Sequence, residues 1–207
     1  MTESSQQPAW LALWRTAYLR NARQRYVQLA TTSPEGLPEV RTVVLRGLAD
    51  DGTPYLFTDT RSHKYAALEQ QAVAELHVYW PKTKEQFRVR GEVILADETH
   101  PADDVWQAYR QEMWDKLNHD GRALLLGPAP ATPLMDIRMT LPEADDDVTA
   151  LNTLYDGLET QHPKPPANFA LVAVQPTYVD YLKLGRPQVR ARYVYRDDIW
   201  QGGEVVP

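Results

Sequence analysis

A short predicted helix carries an unusual charge pattern at its first turn. The helix is predicted from Ser62 to Gln71, and residues 61–64 read Arg-Ser-His-Lys. Free backbone N–H groups and the helix dipole leave partial positive charge at this end, so acidic residues are favoured there. Two cations around a capping serine instead favour a phosphate held by backbone donors, the serine hydroxyl and the lysine. The alternative is a solvated turn whose cations pair with Asp59 or Glu69.

Arginines also recur on three predicted strands. In Glu85–Leu95 one face carries polar side chains and the other apolar ones, which is the pattern of a half-buried strand. The same alternation recurs at 188–194, and Arg41 and Arg46 bracket an apolar run in the strand predicted at 39–47. Arginine prefers planar oxyanions that accept two hydrogen bonds. These strands indicate either an anionic ligand or a dense network of ion pairs, and the sequence leaves both open.

Composition excludes several other kinds of chemistry. The 207 residues contain no cysteine, which excludes disulfides, thiolate catalysis and cysteine-ligated metals. The five histidines lack metal-ligand spacing, so no metal site is predicted, and the sequence has no Walker loop or nucleophile elbow. The net charge of −6 argues against nucleic acid and anionic membranes as partners. With no predicted signal peptide or membrane span, the chain is expected to be cytoplasmic.

The surrounding elements predict a single mainly β domain. Strands are predicted at both ends of the chain with mostly hairpin-length links. This order is typical of an antiparallel sheet of six to eight strands that closes as a barrel with helices outside. The barrel core is predicted at about 26–97 and 168–207, with a helical and loop insertion at about 98–167.

Local patterns predict the individual elements. An N-terminal helix is predicted over Pro8–Arg23. Within the insertion, a helix broken by Gly121 is predicted over 101–126, an exposed acidic loop over 128–146, and another helix over Val148–Glu159. The predicted strands are Tyr26–Thr32, Glu39–Gly47, Tyr55–Thr58, Val73–Trp80, Glu85–Leu95, Phe169–Gln175, Thr177–Leu184, Val189–Arg196 and a short edge that ends at Val206.

Three ordered motifs lie between Tyr26 and Leu95, namely RTVVLR, TDTRSHK and EQFRVRG, and the C-terminal segment reads YVDYLKLGRPQVRARYVY. Together they resemble the pyridoxamine 5′-phosphate oxidase family of FMN-binding split barrels, in its oxidase-related branch. The resemblance implies an FMN-binding split β-barrel. It also implies a homodimer in which both subunits contribute to each FMN site.

The resemblance assigns a role to each matched residue. Arg41 and Lys64 would bind the FMN phosphate, Gln86 would reach the isoalloxazine edge, and Arg192 would approach the flavin from the other subunit. The cofactor-binding residues implied in this way are Arg41, Thr42, Val43, Val44, Phe57, Thr58, Arg61, Ser62, His63, Lys64, Gln86 and Arg192.

The sequence departs from the oxidases where they bind substrate. Gln188 and Arg190 replace an Arg-x-His pair that holds the substrate, and Leu182 replaces a tryptophan near the flavin. These changes argue against oxidation of vitamin B6 phosphates. The resemblance then implies an FMN-dependent oxidoreductase for a small anionic substrate, contacted by Arg46, Arg190 and Arg122, with no catalytic residue assigned. The alternatives are a flavin carrier or sensor without turnover, and a barrel that has lost its cofactor.

Overall fold

The computed structural model describes residues 7–21, 24–100, 102–141 and 143–207. Within these ranges it contains six helices and nine strands. The helices are α1 Ala9–Arg20, α2 His63–Gln70, α3 Asp104–Asp115, α4 His119–Leu126, α5 Leu134–Thr140 and α6 Asp147–Asp156. The strands are β1 Tyr26–Thr32, β2 Pro38–Val44, β3 Gly47–Leu48, β4 Pro54–Asp59, β5 Val73–Trp80, β6 Glu85–Ala96, β7 Phe169–Lys183, β8 Val189–Arg196 and β9 Ile199–Val205.

The strand predictions hold best where side chains alternate without interruption. β1, β5 and β8 have the predicted limits, and β6 extends one residue beyond its predicted end. In β1 the residues Val27, Leu29 and Thr31 are buried while their neighbours are more exposed. This period of two matches the pleat of a strand with one face in the core, and it fixes both the element and its register.

Two of the strand predictions are wrong by more than one residue. The strand predicted over 39–47 is divided, because β2 ends at Val44 and Gly47 pairs with Tyr55 as part of β3. The break predicted at Pro176 does not occur, and β7 runs through it. A Cβ on Gly91 would lie 1.8 Å from the carbonyl oxygen of Gln175, so the backbones approach closely beside the proline.

The insertion also differs from its prediction. The break in the helix predicted over 101–126 lies at 116–118 and not at Gly121, which is in the first turn of α4. The side chain of Asn118 accepts a hydrogen bond from the Gly121 N–H at 3.1 Å and caps this helix. The loop predicted over 128–146 contains α5, a helix of seven residues that follows Pro133. The N-terminal helix ends at Arg20 with Asn21 as its C-cap, and residues 22 and 23 of the predicted helix lie outside the described residues.

The chain forms two compact units. Among the described residues, unit 1 contains those within 7–56, 67–94 and 173–207, and unit 2 contains those within 57–66 and 95–172. In unit 1 the strands follow the order β2-β1-β5-β6-β7, with β8 paired to β7 and β9 to β8. The ladders β1–β2, β1–β5, β5–β6, β7–β8 and β8–β9 are antiparallel.

Aromatic side chains fill the core of unit 1. The ring of Trp14 lies 5.5 Å from that of Trp80 and 5.0 Å from that of Phe87, and Phe87 lies 4.8 Å from Tyr181. The planes are tilted or nearly perpendicular, which is the favoured arrangement for aromatic rings. The hydroxyl of Tyr181 donates to the buried carboxylate of Glu85 at 2.8 Å, and burial is the largest cause of the raised pKa of Tyr181.

The core of unit 2 is built around Phe169. Its ring lies 5.2 Å from Phe57 and 5.6 Å from Trp114. The buried guanidinium of Arg110 donates to the carbonyl oxygen of Phe169 at 2.8 Å. The guanidinium of Arg122 lies 4.8 Å from the centroid of the Trp114 ring. These contacts hold the segment 57–59 of β4 within the unit.

Candidate functional site

A buried polar turn precedes α2 in unit 2. Thr58 and Ser62 are each 5% exposed, and their hydroxyl oxygens lie 3.3 Å apart. The Ser62 hydroxyl donates to the carbonyl oxygen of Asp59 at 2.7 Å. The ammonium group of Lys64 donates to the Thr58 hydroxyl at 3.0 Å. The structure therefore brings together three residues that the resemblance assigned to the cofactor, which we call the Thr58–Ser62–Lys64 cluster.

Asp59 binds Arg61 instead of leaving that arginine for an external anion. The Arg61 guanidinium donates to both carboxylate oxygens of Asp59 and to the carbonyl oxygens of Leu125 and Gly127. Burial would raise the pKa of Asp59, but the hydrogen bonds from Arg61 and Asn168 outweigh it and hold that pKa below its ordinary value. Arg61 therefore follows the alternative interpretation of the sequence, in which a cation of this turn pairs with Asp59.

The donor set at the start of α2 fits a phosphate group. The first turn of α2 carries no acidic residue, and the free N–H groups of a helix start suit an anion. Lys64 adds a cation, Ser62 and Thr58 add hydroxyls, and the carboxylate of Asp59 is already bound by Arg61. His63 is exposed at the same turn.

Strand register in unit 1 aligns polar side chains on one face of the sheet. Thr42 pairs with Gln28, Gln28 with His77, and His77 with Arg88. Directly paired residues project to the same face of a sheet, and residues two apart on one strand do so as well. Gln86 therefore shares this face with Arg88. We call this the polar face of unit 1.

The polar face continues across β7 to β8. The N–H of Leu184 donates to the carbonyl oxygen of Lys84 at 2.9 Å, and this antiparallel register brings Asp180 opposite Arg88. The hydrogen bond with Glu75 is the largest cause of the raised pKa of Arg88, and the charge of Asp180 also raises it, which agrees with this placement. Asp180 in turn pairs with Arg192 on β8. Thr42, Val44, Gln86, Arg190 and Arg192 thus share the polar face.

Arg41 and Val43 project to the opposite face, because side chains alternate along β2. Arg41 pairs with Leu29 and Val43 with Val27, and both partners are core residues. The Arg41 guanidinium donates to the Thr31 hydroxyl at 2.7 Å and forms a 2.6 Å ion pair with Glu39. The structure therefore does not bring the Arg41 side chain to the polar face. Its role at a phosphate stays a prediction.

The predicted substrate residues lie in different surroundings. Arg190 and Arg192 bind the buried carboxylate of Asp180, whose pKa burial would raise but which these hydrogen bonds hold below its ordinary value. Arg46 is half-buried, and burial followed by the charge of Arg25 lowers its pKa. Arg122 donates to the carbonyl oxygens of Thr160, His162 and Trp114.

These contacts favour a structural role for Arg122. Its guanidinium lies over the ring of Trp114 and ties together three carbonyl groups of unit 2, so it is held inside that unit. Asp180 is the residue that sequence reasoning missed. The available signal was an acidic residue two positions before Leu182 in a mostly apolar strand, followed by a strand that contains arginines.

The described residues contain neither a metal-binding cluster nor a membrane-spanning helix. Within residues 7–21, 24–100, 102–141 and 143–207, no group of three or more His, Asp or Glu side chains could hold a metal ion. Among the same described residues, no helix combines the length and apolarity needed to cross a membrane.

Comparison with known proteins identifies the family. Residues 7–97 match the family model described as pyridoxamine 5′-phosphate oxidase, FMN-binding domain. The crystal structure of a pyridoxamine 5′-phosphate oxidase-related, FMN binding protein from Nostoc punctiforme is 31% identical, covering 98% of this chain and 100% of that one with a TM-score of 0.81. The chain belongs to the pyridoxamine 5′-phosphate oxidase-related, FMN-binding family. The predicted family, split-barrel fold and FMN cofactor are confirmed.

Three further proteins are similar to all or part of this chain. The pyridoxine/pyridoxamine 5′-phosphate oxidase 2 of Arabidopsis thaliana is 29% identical over 160 residues, which are 77% of this chain and 73% of the plant protein. The corresponding oxidase of Acinetobacter baumannii is 37% identical over 95 residues, or 45% of this chain and 43% of that enzyme. PhzG from Burkholderia lata, 20% identical with a TM-score of 0.75 over 99% of this chain and 94% of its own, shares the fold.

Proposed function

We propose that this protein is an FMN-dependent oxidoreductase that acts on a small anionic substrate. The Thr58–Ser62–Lys64 cluster carries the proposal, because it places an ammonium group beside two hydroxyl groups at a helix start with no acidic residue in its first turn. A phosphate monoester such as that of FMN accepts hydrogen bonds from donors of this kind. When bound, FMN supplies the electron and hydride chemistry, and the protein supplies binding and orientation.

The residues of this chain would divide the work of holding FMN. Lys64, Ser62 and Thr58 would bind the phosphate, together with backbone N–H groups at the start of α2 and with Arg41. The backbone of residues 42–44 and the side chain of Gln86 would face the flavin ring, with Phe57 and His63 at its periphery and Arg192 approaching from the other subunit. Arg61 is left out of the proposed ligands, since Asp59 and two carbonyl groups already accept its hydrogen bonds.

The proposed substrate is anionic because arginines dominate the polar face. Arg190 and Arg192 lie on that face, and Arg46 is half-buried on the chain segment after β2. A guanidinium group binds planar oxyanions through parallel hydrogen bonds. The oxidases of Arabidopsis thaliana and Acinetobacter baumannii are described as acting on pyridoxine or pyridoxamine 5′-phosphate. We propose a different substrate here, since Gln188 and Arg190 replace the Arg-x-His pair of such oxidases.

A homodimer with shared FMN sites is part of the proposal, as is a cytoplasmic location. The resemblance supports the dimer, and the absence of cysteine suits a reducing compartment. Light scattering during size-exclusion chromatography would give the oligomeric state, and cell fractionation would give the location. Mixing Lys64→Ala subunits with Arg192→Ala subunits should restore part of the flavin sites if both subunits contribute to each one.

The first experiment is the visible absorption spectrum of the purified protein after mixing with FMN and desalting. Flavin bands that survive desalting are expected, and a colourless protein would overturn the proposal. The second step is anaerobic addition of reduced nicotinamide cofactor or of pyridoxamine 5′-phosphate to the yellow protein. Bleaching by an electron donor supports an oxidoreductase. Tight FMN binding without reduction by any donor would favour a flavin carrier or sensor.

A further inference from the structure

Asp180 is a buried carboxylate on which four hydrogen bonds converge. The residue is 0% exposed. Arg190 donates from Nε at 3.0 Å and from Nη2 at 2.7 Å, and Arg192 donates from Nε at 3.2 Å. The hydroxyl of Tyr178 lies 3.2 Å from the same carboxylate. Because a buried carboxylate is unfavourable without such partners, this convergence fixes the orientation of both guanidinium groups.

The same geometry leaves outward-facing donors on the two arginines. Arg192 uses only Nε on Asp180, and its side chain is 48% exposed. Arg190 uses Nε and Nη2, and its side chain is 25% exposed. Within the part of the chain that the structure describes, the Nη groups of Arg192 and Nη1 of Arg190 make no hydrogen bond to protein. A planar oxyanion suits these parallel N–H groups.

We call Asp180 with its two arginines, Arg190 and Arg192, the trio. Its net charge determines which anions it prefers. Two arginines and one aspartate sum to a charge of +1. Arg88, opposite Asp180, forms a 2.6 Å ion pair with Glu75 and adds no net charge. Arg90 is a neighbouring cation outside the trio, and it lies over the ring of Tyr178, whose hydroxyl contacts Asp180. A carboxylate carries one negative charge, whereas a phosphate monoester carries about −1.5 to −2 at neutral pH.

We propose that Asp180 is a positioning residue that holds Arg190 and Arg192 as a clamp of net charge +1 for a carboxylate group of the substrate. This inference rests on the proposed function and names its substrate class: small organic carboxylates in preference to phosphate esters. Asp180 does not touch the substrate in this arrangement. It orients the two arginines and cancels one of their charges.

Benzoate and phenyl phosphate are suitable probes, since both carry a phenyl ring and they differ in the charged group. Isothermal titration of the FMN-treated protein should give an affinity for benzoate about tenfold above that for phenyl phosphate. Asp180→Asn raises the charge of the trio to +2 and should reverse this order. Glu92→Gln is the matched control, because it removes one exposed carboxylate from the same side of β6 and should leave the ratio unchanged.

A second variant keeps the test decisive if Asp180→Asn fails to fold. Arg192→Lys keeps the positive charge of this exposed side chain but replaces the planar guanidinium group with an ammonium group. It should weaken benzoate about tenfold and phenyl phosphate less. Equal wild-type affinities, no binding of either probe, or equal shifts in Asp180→Asn and Glu92→Gln would overturn the inference. Loss of flavin on desalting would instead overturn the proposed function, while the titration with the two probes still tests the clamp.

Discussion

The carboxylate of Asp59 accepts three hydrogen bonds from the guanidinium of Arg61, at distances of 2.7, 3.0 and 3.2 Å. Asn168 donates a fourth at 3.0 Å. One of the two cations beside the start of α2 therefore stabilises the turn itself. Lys64, whose ammonium group donates to Thr58, is the cation that suits an incoming phosphate. This division separates ligand binding from stability and can be tested residue by residue.

Replacement of Lys64 should weaken FMN binding without unfolding the protein. Lys64→Ala removes a charge-assisted hydrogen bond to the phosphate, and the dissociation constant for FMN should rise about 10- to 100-fold. The double variant Lys64→Ala/Arg41→Ala should lose flavin on desalting. Lys116→Ala is the control, because it removes an exposed lysine paired only with Glu112 on α3. Unchanged flavin retention in the double variant would place the phosphate elsewhere.

Replacement of Asp59 should reduce stability more than it reduces FMN affinity. Asp59→Asn takes the negative charge away from Arg61 and should lower the free energy of unfolding by about 1–3 kcal/mol. Chemical denaturation measures this loss. The FMN affinity of the folded variant should fall less than in Lys64→Ala, since Arg61 is not among the proposed ligands. An Asp59→Asn variant as stable as wild type would contradict the structural role.

Asp97 should make stability depend on acid pH. Burial would raise its pKa, but hydrogen bonds from Tyr65, Thr99 and His100 outweigh this and lower the pKa from 3.8 to about 2. The folded state thus favours the ionised form. The stabilisation is complete above the unfolded pKa and is lost as the pH falls from about 4 to about 2.

The size of this effect is about 1–2 kcal/mol. Asp97→Asn should therefore show a flatter decline of unfolding free energy over this pH range than wild type does. Urea denaturation at a series of acid pH values measures the slope. Asp156→Asn, which changes an exposed carboxylate at the end of α6, should keep the wild-type slope. Parallel curves for Asp97→Asn and wild type would disprove the linkage.

The close approach of β6 and β7 in unit 1 should depend on Gly91. An added Cβ would lie 1.8 Å from the Gln175 carbonyl oxygen, so Gly91→Ala must separate the two backbones. We expect a loss of about 1–3 kcal/mol in unfolding free energy. Gly203→Ala is the control, because a Cβ there has no heavy atom within 4 Å. Equal thermal midpoints for the two variants would show that β7 can shift without penalty.

The hydrogen bond between Tyr181 and Glu85 should also contribute to stability. Tyr181→Phe leaves the buried carboxylate of Glu85 without this donor, at a cost of about 1–3 kcal/mol measured by denaturation. Adding Glu85→Met should recover part of the loss, because the unpaired charge is then removed. Tyr79→Phe, at a residue that is 40% exposed, should change little. A double variant less stable than Tyr181→Phe would contradict this explanation.

Strands with uninterrupted alternation could be predicted from sequence to the residue. β1 and β5 each bury one face and leave the other more exposed, and only one register buries the apolar set. Pro176 misled the prediction, since proline is a usual strand breaker, yet the tight contact beside Gly91 accommodates it. α5 was missed because seven residues between prolines give too little helical periodicity.

Part of the candidate site could also be predicted, because some of its residues lie close together in the sequence. Ser62 and Lys64 stand out through local spacing at a helix start, and the structure places both with Thr58. The partner of Arg61 is only two residues away, but sequence cannot tell whether a side chain turns toward a neighbour or toward a ligand. Asp180 is linked to Arg190 and Arg192 through strand register, which needs the paired sheet.

Pairing of Asp180 with Arg192 also restricts where residues can be inserted or deleted in this part of the chain. One residue inserted or deleted inside β8, before Arg190, would turn both arginines to the apolar side of the sheet. The connection at 184–188 lies outside the β7–β8 ladder, so its length can change while every pair in the ladder stays in place. Insertions and deletions in relatives that keep the trio are therefore expected in this connection and not within β8.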